Sequence, residues 1–181
     1  MGNVYIFRGK AAMGKSTLAD MLGKKLSIPV IRKDDIVDAL KTTQDIDKRF
    51  INNSVCYNIL YKIIQTNLNL GADFILDIAL GDRQNAKAFF ERLDFKNNKA
   101  LWFFVICSNE DEWKKRLVER IENPLPNQSF KSFEHVLEHY KNADVNPFEH
   151  EHVIDSADTL EKSFEDVLKT ISSFDKSECM F

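Results

Sequence analysis

Apolar residues along the chain follow two alternating rhythms. Short unbroken runs, such as Val4-Tyr5-Ile6-Phe7 and the stretch Leu-Trp-Phe-Phe-Val-Ile-Cys at 101–107, have the form of strands buried on both faces of a parallel sheet. Between them, Leu18, Met21, Leu22 and Leu26 recur at helical spacing, and so do Ala86, Phe89, Phe90 and Leu93. Ile28-Pro29-Val30-Ile31 predicts a second strand, and a short helix should follow Asp34. A long helix is expected from about residue 46 to 70, with Ile51, Val55, Ile59 and Ile63 stacked on one face and Gly71 as its stop. Residues 73–77 predict the third strand. Ser108 with Asp111 resembles a capping box for a helix carrying Trp113, Leu117 and Ile121. Two prolines break helical order over 122–130, which predicts a mobile loop. Phe133, Val136, Leu137 and Tyr140 mark another helix, His152-Val153-Ile154-Asp155 a fifth strand, and Leu160, Phe164, Val167, Leu168 and Ile171 a closing helix. Five apolar strands alternating with helices predict an α/β fold of three layers. A five-stranded parallel sheet is covered on both faces, and ligands lie at the carboxyl ends of its strands.

Composition narrows this picture. A chain of 181 residues, 44% of them apolar, has the size of one domain over 1–181 with a small insertion. A formal net charge of −3 argues against a dedicated nucleic-acid binder. Lys24-Lys25, Arg32-Lys33 and Lys114-Lys115-Arg116 read as solvated ends of elements. Cys56, Cys107 and Cys179 are odd in number and lack C-x-x-C spacing, which suits a reducing compartment, so a cytoplasmic monomer or homodimer is expected. No apolar stretch approaches the roughly 20 residues of a membrane span, and residues 1–8 run directly into the first strand rather than resembling a signal peptide.

Directly after the first strand, residues 9–17 read Gly-Lys-Ala-Ala-Met-Gly-Lys-Ser-Thr, a complete G-x-x-x-x-G-K-[ST] phosphate-binding loop between strand and helix. Backbone N–H groups must converge on a polyphosphate, and glycine at 9 and 14 lets the chain turn with no Cβ in the way. Lys15 is expected to reach the β- and γ-phosphates, Ser16 to offer its hydroxyl to Mg²⁺, and Thr17 to add a phosphate contact. Lys10, Ala11, Ala12 and Met13 fill the variable positions of the same nucleotide-binding segment.

Two aspartates at strand ends can face those phosphates. Phe74-Ile75-Leu76-Asp77 has the form of a Walker B element, whose acid holds Mg²⁺; the alternative is that Asp77 caps a helix or ends the strand. Asp34 can take the proton of an acceptor hydroxyl, with Asp35 as a competing choice and a helix N-cap as the other reading. Arg116 and Arg120, four apart on a helix face, can neutralise charge on a transferring phosphoryl group, or can be solvated arginines paired with Glu112 or Glu119. Tyr57, Tyr61 and Phe50, with Asn53 and Asn58, can line an acceptor pocket or simply pack their helix, and Arg83 can contact acceptor or phosphate. His135, His139 and the run His150-Glu151-His152 have no third metal ligand set by spacing.

From Met1 to about Ser173 the chain resembles the small P-loop kinases, which include chloramphenicol phosphotransferase, the kinase half of polynucleotide kinase, and the gluconate and shikimate kinases. The resemblance rests on GKAAMGKST, KDDIVDAL, ILDIAL, EWKKRLVERIENP and HVIDSADTLEKSFEDVL. It implies a P-loop NTPase fold with a small helical lid at about 116–131, ATP and Mg²⁺ as cofactors, Asp34 as acceptor base, and Arg116 and Arg120 as the lid arginines. Polynucleotide kinases typically place an arginine three residues beyond the base; Val37 stands there, which counts against a nucleic-acid acceptor and favours a small molecule bearing a hydroxyl. Two other functions are to be separated from this one: a partner-regulated ATPase switch and a 5′-hydroxyl nucleic-acid kinase. A GTPase is disfavoured, since Asn98-Lys99-Ala100-Leu101 lacks the aspartate of N-K-x-D and no glycine follows Asp77 by three.

Overall fold

The computed structural model describes residues 1–44, 47 and 51–177. Strand β1 (Asn3–Arg8) leads to α1 (Lys15–Leu26), β2 (Val30–Arg32), α2 (Lys33–Thr42) and α3 (Asn53–Leu70). Then come β3 (Phe74–Ile78), α4 (Arg83–Phe90), β4 (Lys99–Ile106), α5 (Glu110–Glu122), α6 (Phe133–Tyr140), β5 (His152–Asp155) and α7 (Leu160–Ser177). All five strands are parallel, in the order β2-β3-β1-β4-β5. The α/β sheet expected from the apolar rhythm is the one observed.

Alternation along the central strand builds the two cores. Tyr5 and Phe7 face α1, α5, α6 and α7, where they join Leu18, Leu22, Phe103, Val105, Trp113, Leu117 and Val167. Val4 and Ile6 face α3 and α4, with Leu60, Ile64, Phe74, Leu76 and Phe90. The Phe7 and Phe103 rings stack 4.8 Å apart across adjacent strands. Each such side chain, fully buried, stabilises the fold by about 1.5–3 kcal/mol.

Three local expectations are corrected. Helix α3 begins at Asn53, capped by Asn52, whose side chain accepts the Val55 N–H at 3.0 Å; the expected start near residue 46 lies outside the described residues. Its buried stripe is Cys56, Leu60, Ile64 and Leu68, while Ile59 and Ile63 are 36% and 39% exposed. The helix carries two apolar stripes one residue apart, and only the longer one meets the sheet. At α5, the cap is Asn109, whose side chain accepts the Glu112 N–H at 3.1 Å. The Ser108 N–H instead donates to Asp155 Oδ1 at 3.0 Å, so the capping box of Ser108 and Asp111 does not form. Strand β2 starts at Val30 rather than Ile28, and the Pro29 carbonyl accepts the Ile75 N–H at 2.9 Å where the pairing begins.

The connections out of β1 and β4 run toward opposite edges of the sheet, so the loop leaving β1 opens where a ligand crevice forms in such folds. Among the described residues, no helix is long and apolar enough to cross a membrane.

Candidate active site

The loop between β1 and α1 adopts a conformation its sequence makes possible. Gly9 has φ 145°, and a Cβ there would lie 2.3 Å from the Val105 carbonyl oxygen of β4. Gly14 caps α1 at φ 88°; a Cβ would meet only ordinary contacts, 3.5 Å to Ser156 Cβ, so its need for glycine is conformational. Lys15, Ser16 and Thr17 form the first turn of α1, which carries no acidic side chain, leaving its N–H groups and positive dipole end for an anion. Lys15 is buried and donates from Nζ to the Lys10 carbonyl at 2.7 Å. Burial pushes its pKa below the ordinary lysine value, with Asp77 and Asp34 acting in the opposite direction.

Two clefts meet at this loop. A smaller one, about 400 Å³, is lined by residues 12–18 with Arg116, Ser156, Asp158 and Leu160. A larger one, about 1290 Å³, holds Asp34, Asp77, Tyr57, Asn127, His139 and Tyr140 among its walls. Lys15, Ser16 and Arg120 line both. Groups on the P-loop and on α5 therefore stand between the smaller cleft and the larger one.

The expected site residues distribute unequally. Arg116 is bound by Glu112 Oε1 at 3.0 Å, Ser156 Oγ at 2.9 Å and the Ser156 carbonyl at 2.7 Å, and faces only the smaller cleft. Arg120 reaches across: its Nη2 lies 4.0 Å from Asp34 Oδ2 and donates to Asn127 Oδ1 at 3.1 Å, while its buried Nε has no protein partner. The Glu112 pairing expected as the alternative thus holds for Arg116, alongside its bonds to Ser156.

Asp34 sits inside the first turn of α2 with a half-buried carboxylate, so it is not the helix N-cap; Arg32 occupies that position. Asp35 is 64% exposed at its side chain, pairs with Arg32 at 3.8 Å and lines neither cleft. Asp77 lies within β3 rather than at a helix cap, 6% exposed, and its Oδ2 accepts from Arg32 Nε at 3.2 Å. Arg32 also pairs with Asp20. Ser16 is exposed at the same cleft that Asp77 lines, so a hydroxyl and a carboxylate face one space. Such hard oxygen donors suit Mg²⁺, and among the described residues no cluster of three His, Cys, Asp or Glu could hold a metal.

Of the expected acceptor-pocket residues, Tyr57, Asn53 and Asn58 line the larger cleft, and burial pushes the Tyr57 phenol up to about 12. Tyr61 does not line it; Arg92 lies over its ring at 4.8 Å. Phe50 lies outside the described residues, as does Cys179. Arg83 lies over the Phe148 ring at 5.3 Å and lines neither cleft. His135 and His139 line the larger cleft and stand edge-on to Phe130, at 5.6 and 5.2 Å.

Against this geometry, the model of a family described as an AAA domain matches residues 4–143, the span from β1 through the start of the segment after α6. The chain belongs to this AAA-domain family. No curated protein matches it significantly. Solved structures with the fold of this AAA-domain chain include a protein of Chloroflexus aurantiacus provisionally called a kinase. It is 16% identical, with TM-score 0.75, over 95% of this chain and 97% of that one. A gluconokinase from Sinorhizobium meliloti is 14% identical, with TM-score 0.62, over 97% and 94% of the two chains. A shikimate kinase from Aquifex aeolicus is 16% identical, with TM-score 0.51, over 94% and 96%. At these identities the likeness concerns the fold: a five-stranded parallel sheet with a phosphate loop after its central strand.

Several side chains at the site of this AAA-domain protein escape a reading of motifs. Asn127, in the proline-bearing loop, joins Arg120 to α2 through Asp38 Oδ2 at 3.3 Å, and Lys41 Nζ donates to the Pro126 carbonyl at 2.8 Å. Trp113 and Tyr140, which register in the sequence only as apolar helix positions, both contact the phosphate loop. Arg8, fully buried at the end of β1 where that loop begins, had one visible signal, a lone charge ending an apolar strand.

Proposed function

We propose that the chain is an ATP-dependent phosphotransferase that moves the γ-phosphate of Mg-ATP to a hydroxyl of a small-molecule acceptor. One observation carries the reading: Lys15, Ser16 and Arg120 line both clefts, while Asp34 lines only the larger one. ATP lies in the smaller cleft with its phosphates on the residues 9–17 loop, and the acceptor lies in the larger. Ser16 and Asp77 would hold Mg²⁺ together with the nucleotide, and the ion, when bound, would neutralise charge on the phosphate oxygens. Asp34 accepts the hydroxyl proton as the acceptor oxygen bonds to the γ-phosphorus. The bond to the β–γ bridging oxygen breaks, and ADP leaves. Lys15 and Arg120 stabilise the charge on the transferring group, and Arg116 holds the nucleotide side.

Asp34 is preferred to Asp35 as base because only Asp34 lines the cleft. The α5 arginines with the loop after them, about residues 116–131, act as the lid of a single domain spanning 1–181, working in the cytoplasm. The names of the similar gluconokinase and shikimate kinase support a small acceptor. Preference for adenine, and the disfavour of nucleic acid from Val37, come from the resemblance to small P-loop kinases.

The test is ADP release from Mg-ATP with pooled nucleosides, sugars and sugar acids, antibiotics or 5′-hydroxyl oligonucleotides. Asp34→Asn, Asp35→Asn and Lys15→Ala are assayed beside the parent. A pool that stimulates the parent and Asp35→Asn, but stimulates Asp34→Asn about 10²-fold less or weaker still, supports the reading. Slow turnover unmoved by every pool and by Asp34→Asn refutes it in favour of a partner-regulated ATPase. Stimulation by oligonucleotides alone, with steep salt dependence, would replace the small molecule by nucleic acid.

A further inference from the structure

We propose that Trp113 and Tyr140 are positioning residues that hold the phosphate loop in a strained, binding-ready conformation through the two peptide units that flank Ala11. Ala12, the next residue, has φ 60°, a left-handed conformation that a side-chain-bearing residue keeps only when its surroundings impose it. Both polar groups of Ala11 are held. Its N–H donates to Tyr140 Oη at 3.1 Å, and its carbonyl accepts from Trp113 Nε1 at 2.9 Å.

The surroundings tighten this clamp from two further sides. The Lys10 ammonium lies 3.9 Å from the centre of the Trp113 ring, covering the indole face. Gly81, in the β3–α4 connection, lies so close beneath that a Cβ would stand 3.2 Å from both Lys10 N and Tyr140 Cε1. Burial pushes the Tyr140 phenol up, against the opposing effect of the Ala11 hydrogen bond, so the hydroxyl stays neutral near pH 7.

The consequence for binding is preorganisation. Ala12 lines the smaller cleft with Met13 and Gly14, so the strained residue is part of the proposed nucleotide cradle. Without the clamp, Ala12 relaxes toward ordinary φ in the free protein, and ATP must then restore the strained form out of its own binding energy. Trp113 and Tyr140 come from α5 and α6, the helices on either side of the 123–132 loop, and their cores meet where Trp113 stands edge-on to Phe133 at 5.6 Å. Helix α5 also carries Arg116 and Arg120, so loop shape and arginine placement depend on one helix.

This inference rests on the reading that the loop binds nucleotide, and the experiment separates the two. ATP is titrated calorimetrically into the parent, Tyr140→Phe, and Tyr140→Phe combined with Ala12→Gly, with melting temperature followed in each. Tyr140→Phe should raise Kd for ATP about tenfold, the size expected for losing one buried hydrogen-bond partner. In the assay above, KM for ATP should rise by a similar factor. The second substitution should bring Kd back to within about threefold of the parent, because glycine takes positive φ without strain. A residue of merely structural importance would not be rescued this way. Tyr140→Phe binding as tightly as a parent that does bind, or a double variant no better than the single, overturns the clamp alone. A parent that binds no ATP overturns the nucleotide site and the clamp with it.

Discussion

Replacing Glu151 by glutamine should cost this protein about 3–5 kcal/mol, the range seen when one partner of a buried ion pair is removed. Arg8 and Glu151 are both 0% exposed at their side chains, and the pair is bonded through Arg8 Nε to Oε1 and through Nη2 to Oε2 at 2.7 Å. Glu151 Oε2 also accepts the Phe148 N–H at 2.7 Å, while Arg8 donates further to the Leu80 carbonyl at 2.9 Å and the Asn146 carbonyl at 3.1 Å. The guanidinium lies 4.5 Å from the ring centres of Phe104 and Phe148, where no water can take over. Glutamine keeps the shape but has one carbonyl oxygen for sites on two. Its NH₂ must point at a donor, and the arginine charge loses its counter-ion. For a chain of this size each kcal/mol corresponds to about 2–4 °C in Tm, so melting should fall by about 6–20 °C. Urea unfolding followed by circular dichroism measures the loss directly. A loss below about 1 kcal/mol for Glu151→Gln at unchanged m-value would refute the reasoning.

The two loop glycines should respond differently. Gly9→Ala forces a Cβ toward the Val105 carbonyl at 2.3 Å in a φ of 145°, and should cost about 3 kcal/mol or more along with ATP binding. Gly14→Ala meets open contacts and should cost only about 1–2 kcal/mol, read by the same melting and titration experiments. In steady-state kinetics Arg116→Ala should act chiefly on KM for ATP, whereas Arg120→Ala, which faces both clefts, should lower kcat by about 10²-fold or more; equal effects on both parameters would contradict the separation. Burial raises the Asp155 pKa, but hydrogen bonding from the Ser108 hydroxyl and from the N–H groups of Ser108 and Ala157, each N–H at 3.0 Å from Oδ1, outweighs it and holds the carboxyl below its ordinary value. Its stabilisation is therefore full above an unfolded pKa of about 3.9 and is lost as pH falls through the lower folded value. Asp155 is exposed, so solvent screens the effect: Asp155→Asn should cost less than about 1 kcal/mol at pH 7 and progressively less below pH 4, as urea midpoints across that range would reveal.

Much of the site was legible in residues 9–17, because a polyphosphate cradle needs glycine, lysine and hydroxyl at fixed spacings along one short segment. The parallel sheet was legible too, since strands buried on both faces need continuous apolar runs such as 101–107. Helix α3 shows where such reading stops: two apolar stripes, 55/59/63 and 56/60/64/68, are nearly equal as patterns, and only the neighbouring sheet chooses between them. The same holds for the capping of α5, where Ser108 was drawn away by Asp155, 47 residues distant.

By itself, then, the sequence determined what is local: the phosphate loop and the strands and helices around it. Tertiary structure alone decided what depends on distance in space between residues far apart in the chain. It separated Arg116 from Arg120 by giving one to Ser156 and the other to Asp34 and Asn127. It put Asp34, and not Asp35, on the cleft, because neighbouring helical residues point about 100° apart. It set Trp113 and Tyr140, 102 and 129 residues beyond Ala11 in the chain, on the two peptide units that flank Ala11. Spacing along a chain encodes contacts of a few residues; contacts across the sheet arise only when the packed core fixes where each helix lies.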